Sequence, residues 1–155
     1  MDRQPISRSK IRTTAMDLLT GREFSRRELA LKLERKFEGC SEIDEVLDRL
    51  QSEGLQSDER FTEAFVRSRI VRGQGPARIR LDIREKGIKE SLFDSVLESE
   101  GVDWYTLAKD VAKRKFGSEL AVDPKDLAKR MRFMQYRGFS YDQIKYALSD
   151  SEDDG

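Results

Sequence analysis

The fold is decided by residues 83–97, which read IREKGIKESLFDSVL. The apolar positions are Ile83, Phe93, Val96 and Leu97, and a Lys-Gly-Ile turn separates the first of them from the other three. Spacings of three and four residues place apolar side chains on one face of a helix. The stretch therefore predicts one helix that ends at the turn and a second helix that buries the face carrying Phe93.

The same apolar pattern occurs about fifty residues earlier and about fifty residues later. The earlier copy is Leu33, Ile43, Val46 and Leu47, and the later copy is Met134, Ile144, Ala147 and Leu148. Self-similarity at a fixed period is typical of repeat proteins, in which each unit covers apolar surface of its neighbour. We expect an all-α fold of three tandem three-helix repeats, at residues 6–54, 55–101 and 102–149.

Signals for the starts and ends of helices support this division. Helices are expected near residues 7–21, 26–38, 42–53, 58–72, 76–86, 89–100, 103–116, 124–137 and 141–149. Ser25 and Ser140 each precede Glu or Gln by three residues, which is the spacing of a capping box. Asp123 precedes a proline at a predicted first helical position, as an N-cap residue does. The acidic residues 150–155 have no apolar anchor, and we expect a disordered tail there.

The composition excludes several classes of active site. The chain has 155 residues, of which 37% are hydrophobic and 39% are charged, with no histidine and one cysteine, Cys40. It therefore cannot form a Cys/His nucleophile pair, a zinc cluster of the usual ligands or an internal disulfide. Neither an apolar leader nor a run long enough to span a membrane is visible, and we expect a cytoplasmic protein without membrane contact.

No catalytic, cofactor-binding or metal-ligating residues are predicted, and we expect a protein that is not an enzyme and needs no cofactor. Gly73-Gln74-Gly75 is the only glycine cluster. It lacks the preceding strand and the Gly-Lys-Ser/Thr sequence of a phosphate loop, so a flexible break between two basic helices is the favoured interpretation. Paired carboxylates are frequent, but solvated helix faces explain them.

The formal net charge is zero, but the charges are segregated along the chain. Residues 60–89 are mainly basic, residues 109–137 are basic with some acid, and residues 42–53 and 90–103 are acidic. The acidic stretches coincide with the third predicted helix of repeats one and two. A helix-turn-helix protein would place that helix against DNA, where acid is repelled, so sequence-specific groove binding is disfavoured. The basic helices instead predict contact with nucleic acid or with an acidic protein surface.

Four motifs together resemble a known family. They are Leu55-x-x-Asp58-x-Arg60-Phe61-x-x-x-Phe65-Val66-x-x-Arg69, Gly73-x-Gly75-Pro76-x-Arg78-Ile79, Lys86-Gly87-Ile88 and Arg132-Phe133-Met134-x-Tyr136-Arg137-Gly138-Phe139-Ser140. In this order they resemble the RecX family, the regulators of the RecA recombinase, over about residues 7–149. The acidic tail is not part of the shared pattern.

The resemblance implies an elongated, curved array of repeats that binds along the groove of the RecA–DNA filament. It also implies inhibition of filament extension, ATP hydrolysis, strand exchange and coprotease activity, and a place in DNA repair, homologous recombination and the SOS response. On this basis the partner is the RecA filament, with weak non-specific DNA binding at most, and the protein is a monomer.

Ten basic residues are the candidates for electrostatic anchoring to the filament or its DNA. They are Arg67, Arg69, Arg72, Arg78, Arg84, Lys113, Arg114, Lys129, Arg130 and Arg132. Two alternatives remain open at this point. The chain could be a non-specific DNA-binding helical repeat protein that competes for DNA, or a helical scaffold for some other protein.

Overall fold

The structure, a computed structural model, describes residues 8–149, and the predicted tail at 150–155 lies outside this range. In the described part the regular secondary structure is all helix, without a strand. The helices are α1 (Arg8–Gly21), α2 (Arg26–Lys36), α3 (Ile43–Ser52), α4 (Asp58–Val71), α5 (Pro76–Arg84), α6 (Glu90–Glu100), α7 (Trp104–Phe116), α8 (Pro124–Tyr136) and α9 (Tyr141–Leu148). Every predicted helix is present, with ends within two residues of the prediction.

The predicted caps explain where several helices begin. Ser25 and Ser140 both form complete capping boxes, in which the hydroxyl accepts from the N3 amide and the N3 side chain accepts from the cap amide. Asp123 caps α8 by accepting from the Asp126 amide. Each such cap is worth about 1 kcal/mol, since it satisfies amides that the first helical turn leaves without a partner.

The repeated apolar pattern forms the core. Of its positions in the three copies, only Leu97 and Leu148 are half-buried, and the others are buried. One cluster holds Ile11, Leu29, Leu33, Leu47 and Leu50 with their neighbours, and another is built around Ala108, Met134 and Ile144. These side chains are fully or almost fully removed from water, so the stripe predicted from the sequence is the source of packing.

The chain divides into two compact units that do not follow the sequence repeat. Among the described residues, unit 1 comprises residues 8–64 together with Arg84–Val96, and unit 2 comprises Phe65–Ile83 together with residues 97–149. The three borders therefore fall inside helices α4 and α6 and before the last residue of α5. The predicted repeat boundaries at 54/55 and 101/102 stay a prediction.

A close approach between a glycine turn and the start of a helix occurs within each unit. In unit 1, Gly87 has φ +79°, and a Cβ there would come within 2.9 Å of the Arg27 side chain on α2. In unit 2, Gly138 has φ +99°, and a Cβ there would come within 2.5 Å of the Arg78 backbone nitrogen on α5. We call these contacts glycine joint 1 and glycine joint 2. Each requires a residue without a side chain and in the left-handed region.

An ion-pair network secures glycine joint 1. Glu28, on the first turn of α2, accepts from Arg22 at 3.2 Å and from Lys86 at 3.1 Å. Burial acts to raise the pKa of Glu28, but hydrogen bonds from Arg22, the Ser25 amide and Lys86 outweigh it and hold the pKa below the ordinary 4.5. Glu28 is therefore ionised at neutral pH and links the turn before α2 to the turn before α6.

Candidate functional site

Backbone hydrogen bonds close glycine joint 2 and hold the turn before α5. The Gly75 amide donates to the Arg137 carbonyl at 2.7 Å, and the Ala77 amide donates to the Gly138 carbonyl at 3.0 Å. Gly75 is buried, and a Cβ on it would meet the Phe139 nitrogen at 2.6 Å and the Gly138 carbonyl closer still. The sequence favoured a flexible break at residues 73–75, and the structure instead shows a turn fixed by hydrogen bonds.

Two of the predicted anchoring residues converge on one carboxylate beside this joint. Asp82 Oδ2 accepts from Arg69 Nη1 at 2.5 Å and from Arg78 Nε at 3.3 Å. The Arg69 side chain is only 19% exposed and lies over the Phe65 ring, with 4.3 Å between Cζ and the ring centroid. Arg69 therefore stabilises unit 2 from within and offers little of its guanidinium to a partner.

Arg78 is more accessible and is paired with an exposed aromatic ring. Its guanidinium carbon lies 5.2 Å from the centroid of the Tyr136 ring, and the Tyr136 side chain is 72% exposed. The Asp82 carboxylate, together with Tyr136, raises the pKa of Arg78 above its ordinary value. The result is a permanently charged guanidinium against one side of a tyrosine that the core does not use.

Arg67 and Arg84 are exposed but carry ion pairs of their own. Arg67 makes a two-pronged contact with Glu100, with its Nη2 at 2.9 Å from Oε2, and Arg84 Nη2 lies 2.9 Å from Glu90 Oε1. Both arginine side chains are 62% exposed. Pairs in such positions are worth at most about 1 kcal/mol, so a phosphate or a partner carboxylate can replace the internal one at low cost.

Arg130 has a structural position. Its Nη2 pairs with Asp126 at 3.2 Å, its Nη1 donates to the Glu119 carbonyl at 2.8 Å, and the side chain is 14% exposed. The guanidinium also lies 5.0 Å from the Phe116 ring centroid. These contacts tie the start of α8 to the segment after α7, so Arg130 has little surface for a partner.

The remaining five predicted residues are exposed cations of unit 2. Within residues 8–149 none of them makes a side-chain ion pair, and all are exposed: they are Arg72, Lys113, Arg114, Lys129 and Arg132. We call them the free cations. An exposed cation that pairs with no acid among these residues has none of the described ion pairs to lose on binding, so these five are better placed for anchoring than Arg69 or Arg130.

Sequence reasoning missed three residues of this surface. Asp82 is an acid within the mainly basic stretch 60–89, and its carboxylate accepts from two arginines on different helices. Lys125 and Tyr136 share a helix face with Lys129 and Arg132, at spacings of four, three and four residues. That helical spacing is the signal that would have found them.

Among residues 8–149 there is no group of three or more Cys, Asp or Glu side chains placed to hold a metal ion. None of the described helices is both long enough and apolar enough to cross a bilayer.

Comparison with known proteins gives concordant matches. The profile of the RecX third three-helix domain matches residues 102–148, and that of the RecX second three-helix domain matches residues 57–97. The regulatory protein RecX of Halorhodospira halophila is 41% identical over 144 residues, covering 93% of this chain and 89% of the relative. The regulatory protein RecX of Pseudomonas tolaasii is 43% identical over 139 residues, covering 90% of each chain.

Solved structures of similar fold carry the same family name. A crystal structure of regulatory protein RecX superposes with a TM-score of 0.77 at 22% identity, covering 93% of this chain and 73% of that one. The crystal structure of RecX from Lactobacillus salivarius gives a TM-score of 0.75 at 23% identity, covering 91% and 94%. These likenesses confirm the helical repeat fold. With two matched domains and relatives above 40% identity over nine-tenths of its length, the chain belongs to the RecX family of regulatory proteins.

Proposed function

We propose that this protein regulates the RecA recombinase, mainly as an inhibitor, by binding the RecA–DNA filament through the free cations of unit 2. The observation that carries the proposal is the exposure of these five side chains, none ion-paired among residues 8–149, on a chain whose relatives are named RecX regulatory proteins. A filament presents the same protein surface and DNA phosphate at regular intervals. Several weak contacts made together then give a strong overall interaction.

On this proposal the protein acts by occupancy and without chemistry of its own. A bound regulator limits filament extension, and with it the ATP hydrolysis, strand exchange and coprotease activity that depend on the filament. A cytoplasmic monomer meets these requirements, because many-point contact with the filament replaces the avidity that a dimer would supply.

The test is DNA-dependent ATP hydrolysis by preformed RecA filaments, titrated with this protein below one per protomer. The informative variant is Arg72→Glu with Lys113→Glu, because neither side chain has an ion pair to break within the described residues. Each exposed charge contact is worth up to about 1 kcal/mol, so the half-inhibitory concentration rises about tenfold. Arg69→Glu is a poor choice, since it would place a second carboxylate beside Asp82 in a largely buried position.

Arg35→Glu is the matched control, since Arg35 is exposed on α2 of unit 1. We expect it to inhibit like the unchanged protein. Equal inhibition by the double variant and the control would remove the free cations from the mechanism. No inhibition by the unchanged protein would refute the proposed function itself.

Non-specific binding to DNA is the second candidate, favoured by the row of bases on α8. It predicts that inhibition appears only at concentrations that coat bare DNA, with log affinity falling linearly and steeply against log salt. Inhibition well below that concentration would exclude it as the main activity.

A further inference from the structure

The exposed face of α8 carries a row of basic side chains that ends in a tyrosine. Lys125, Lys129, Arg132 and Tyr136 are separated by four, three and four residues, which places all four on one side of the helix. All four are exposed, Tyr136 to 72%. We call this row the α8 stripe. Along the helix axis it is about 16 Å long, at about 1.5 Å per residue.

The acids beside the stripe are already engaged. Asp123 and Asp126 line the same shallow groove of about 380 Å³ as the three bases. Asp123 Oδ1 accepts from the Asp126 amide at 2.7 Å, and Asp126 Oδ2 accepts from the Val122 amide at 3.1 Å and from Arg130 at 3.2 Å. Among residues 8–149, Lys125, Lys129 and Arg132 make no ion pair. Within that part of the chain, no acid pairs with their charge.

Tyr136, at the end of the stripe, presents its ring to solvent beside Arg78. Arg78 lies against its ring at 5.2 Å, and Asp82 holds Arg78 in place at 3.3 Å. Because 72% of the residue is exposed, most of the ring faces water and adds little to the packing of the core. An exposed aromatic ring beside cations is the arrangement on which unpaired nucleobases stack, and stacking is tolerant of sequence because every nucleobase has a π-face.

The cations and the tyrosine ring of the stripe together indicate one class of ligand. A duplex keeps its base faces inside the stack and would use only the cations, and an acidic protein surface has no need of the ring. A single strand offers both phosphates and free bases, and over about 16 Å a stacked strand presents about five phosphates at about 3.4 Å each.

We propose that the α8 stripe binds single-stranded nucleic acid, with Lys125, Lys129 and Arg132 on phosphates of one strand and Tyr136 stacked on an unpaired nucleobase. The inference rests on the proposed function for its setting, since it names the component of the filament that this face would contact. Its chemistry stands on the stripe alone and is testable without RecA.

The experiment is fluorescence anisotropy of a labelled fifteen-nucleotide oligo(dT), titrated with the full chain without RecA over a series of salt concentrations. Tyr136→Leu removes the ring, and Tyr136→Phe keeps it. Stacking on one nucleobase is expected to contribute roughly 5- to 150-fold in affinity, so the leucine variant weakens by that factor and the phenylalanine variant stays within about twofold. The salt dependence is unchanged in both.

Replacing basic side chains of the stripe tests the phosphate contacts through the salt dependence of binding. Lys129→Gln with Arg132→Gln removes two phosphate contacts, and at about 0.7 per contact with a single strand the slope of log affinity against log salt falls by about 1.4. Arg35→Gln, a charge change of the same kind on unit 1, leaves the slope as it was. Far-ultraviolet circular dichroism checks that each variant is folded, which the exposure of these side chains leads us to expect.

Each result decides. If Tyr136→Leu binds oligo(dT) as tightly as the unchanged chain, Tyr136 does not stack on a nucleobase. If Tyr136→Leu loses as much affinity for a duplex of the same length as for oligo(dT), the preference for single strands is overturned. Inhibition of RecA filaments that needs the stripe, without any binding to oligo(dT), overturns the inference in favour of an acidic protein surface and leaves the proposed function standing. Binding to oligo(dT) that depends on Tyr136, without inhibition of filaments, supports the inference and refutes the proposed function.

Discussion

Replacing Gly75 by alanine tests the claim that glycine joint 2 is held by close backbone approach. The φ of Gly75 lies outside the left-handed region, so alanine is conformationally acceptable there and the effect comes from space alone. A Cβ at this position meets backbone atoms of Gly138 and Phe139, which cannot move aside as a flexible side chain would. The two segments must separate.

Separation has two costs. Forcing an extra methyl group into a packed site costs about 1–3 kcal/mol. Lengthening or breaking the bonds from the Gly75 and Ala77 amides, at 2.7 and 3.0 Å, costs about 1 kcal/mol each. We expect Gly75→Ala to lower the free energy of unfolding by about 3–5 kcal/mol. At about 2–4 °C per kcal/mol for a chain of this size, the Tm falls by roughly 6–20 °C.

Thermal unfolding followed by circular dichroism at 222 nm measures the change, with Gly21→Ala as the control. Gly21 ends α1, has no positive φ and has no atom within 4 Å of the position of an added Cβ. Alanine there is expected to be neutral or to stabilise by up to about 1 kcal/mol. Equal Tm values for the two variants would refute the close-approach explanation. Adding Gly138→Ala to Gly75→Ala should cost less than the sum of the single changes, because the joint is already open.

Three further changes test contacts elsewhere in the chain. Glu28→Gln removes the charge that binds Arg22 and Lys86. Because the pKa of Glu28 is lowered in the folded state, the unchanged chain has the larger free energy of unfolding near pH 7 and loses this difference as the pH falls below about 4.5. Urea unfolding near pH 7 and below pH 4.5 measures the difference. Ser140→Ala removes a capping box and should cost about 1 kcal/mol in the same assay. Asp82→Asn leaves the largely buried Arg69 without a carboxylate and should cost about 1–3 kcal/mol by urea unfolding.

Matched variants separate these effects from general damage. A Glu28→Gln deficit that is the same at neutral and acid pH would show that the charge is not the source of stability. Ser95→Ala, at an exposed position inside α6, should be neutral, and a loss equal to that of Ser140→Ala would contradict the capping explanation. Asp110→Asn, on an exposed face of α7, serves in the same way for Asp82.

The helices and the core could be predicted because their causes are local in sequence. Three- and four-residue spacings fix which side chains of a helix share a face, and a serine with Glu or Gln three residues later fixes where it begins. Leu33, Ile83 and Met134 were predicted as equivalent core positions and are all buried. The repeat thus supplied three copies of the same observation.

Placement of the anchoring residues could not be predicted to the same extent, because ion pairs join residues from different helices. Arg69 and Arg72 have the same charge and lie three positions apart, yet Asp82 on α5 takes one of them into the interior. The motifs containing Gly75 and Gly138 were recognised separately. Their contact spans more than sixty positions, and no periodic pattern connects them.

The two glycine joints have a consequence for exchanging repeats between relatives. Joint 1 pairs Arg27 with Gly87, and joint 2 pairs Arg78 with Gly138. A chimera fused at border 54/55 takes Arg27 and Gly87 from different parents, and one fused at 101/102 does the same for Arg78 and Gly138. Loop borders that look safest for splicing are thus the ones that divide a joint. This chain and a relative at 41–43% identity can be recombined at these borders only if the parent that supplies the turn has glycine at the position that contacts the helix start from the other parent.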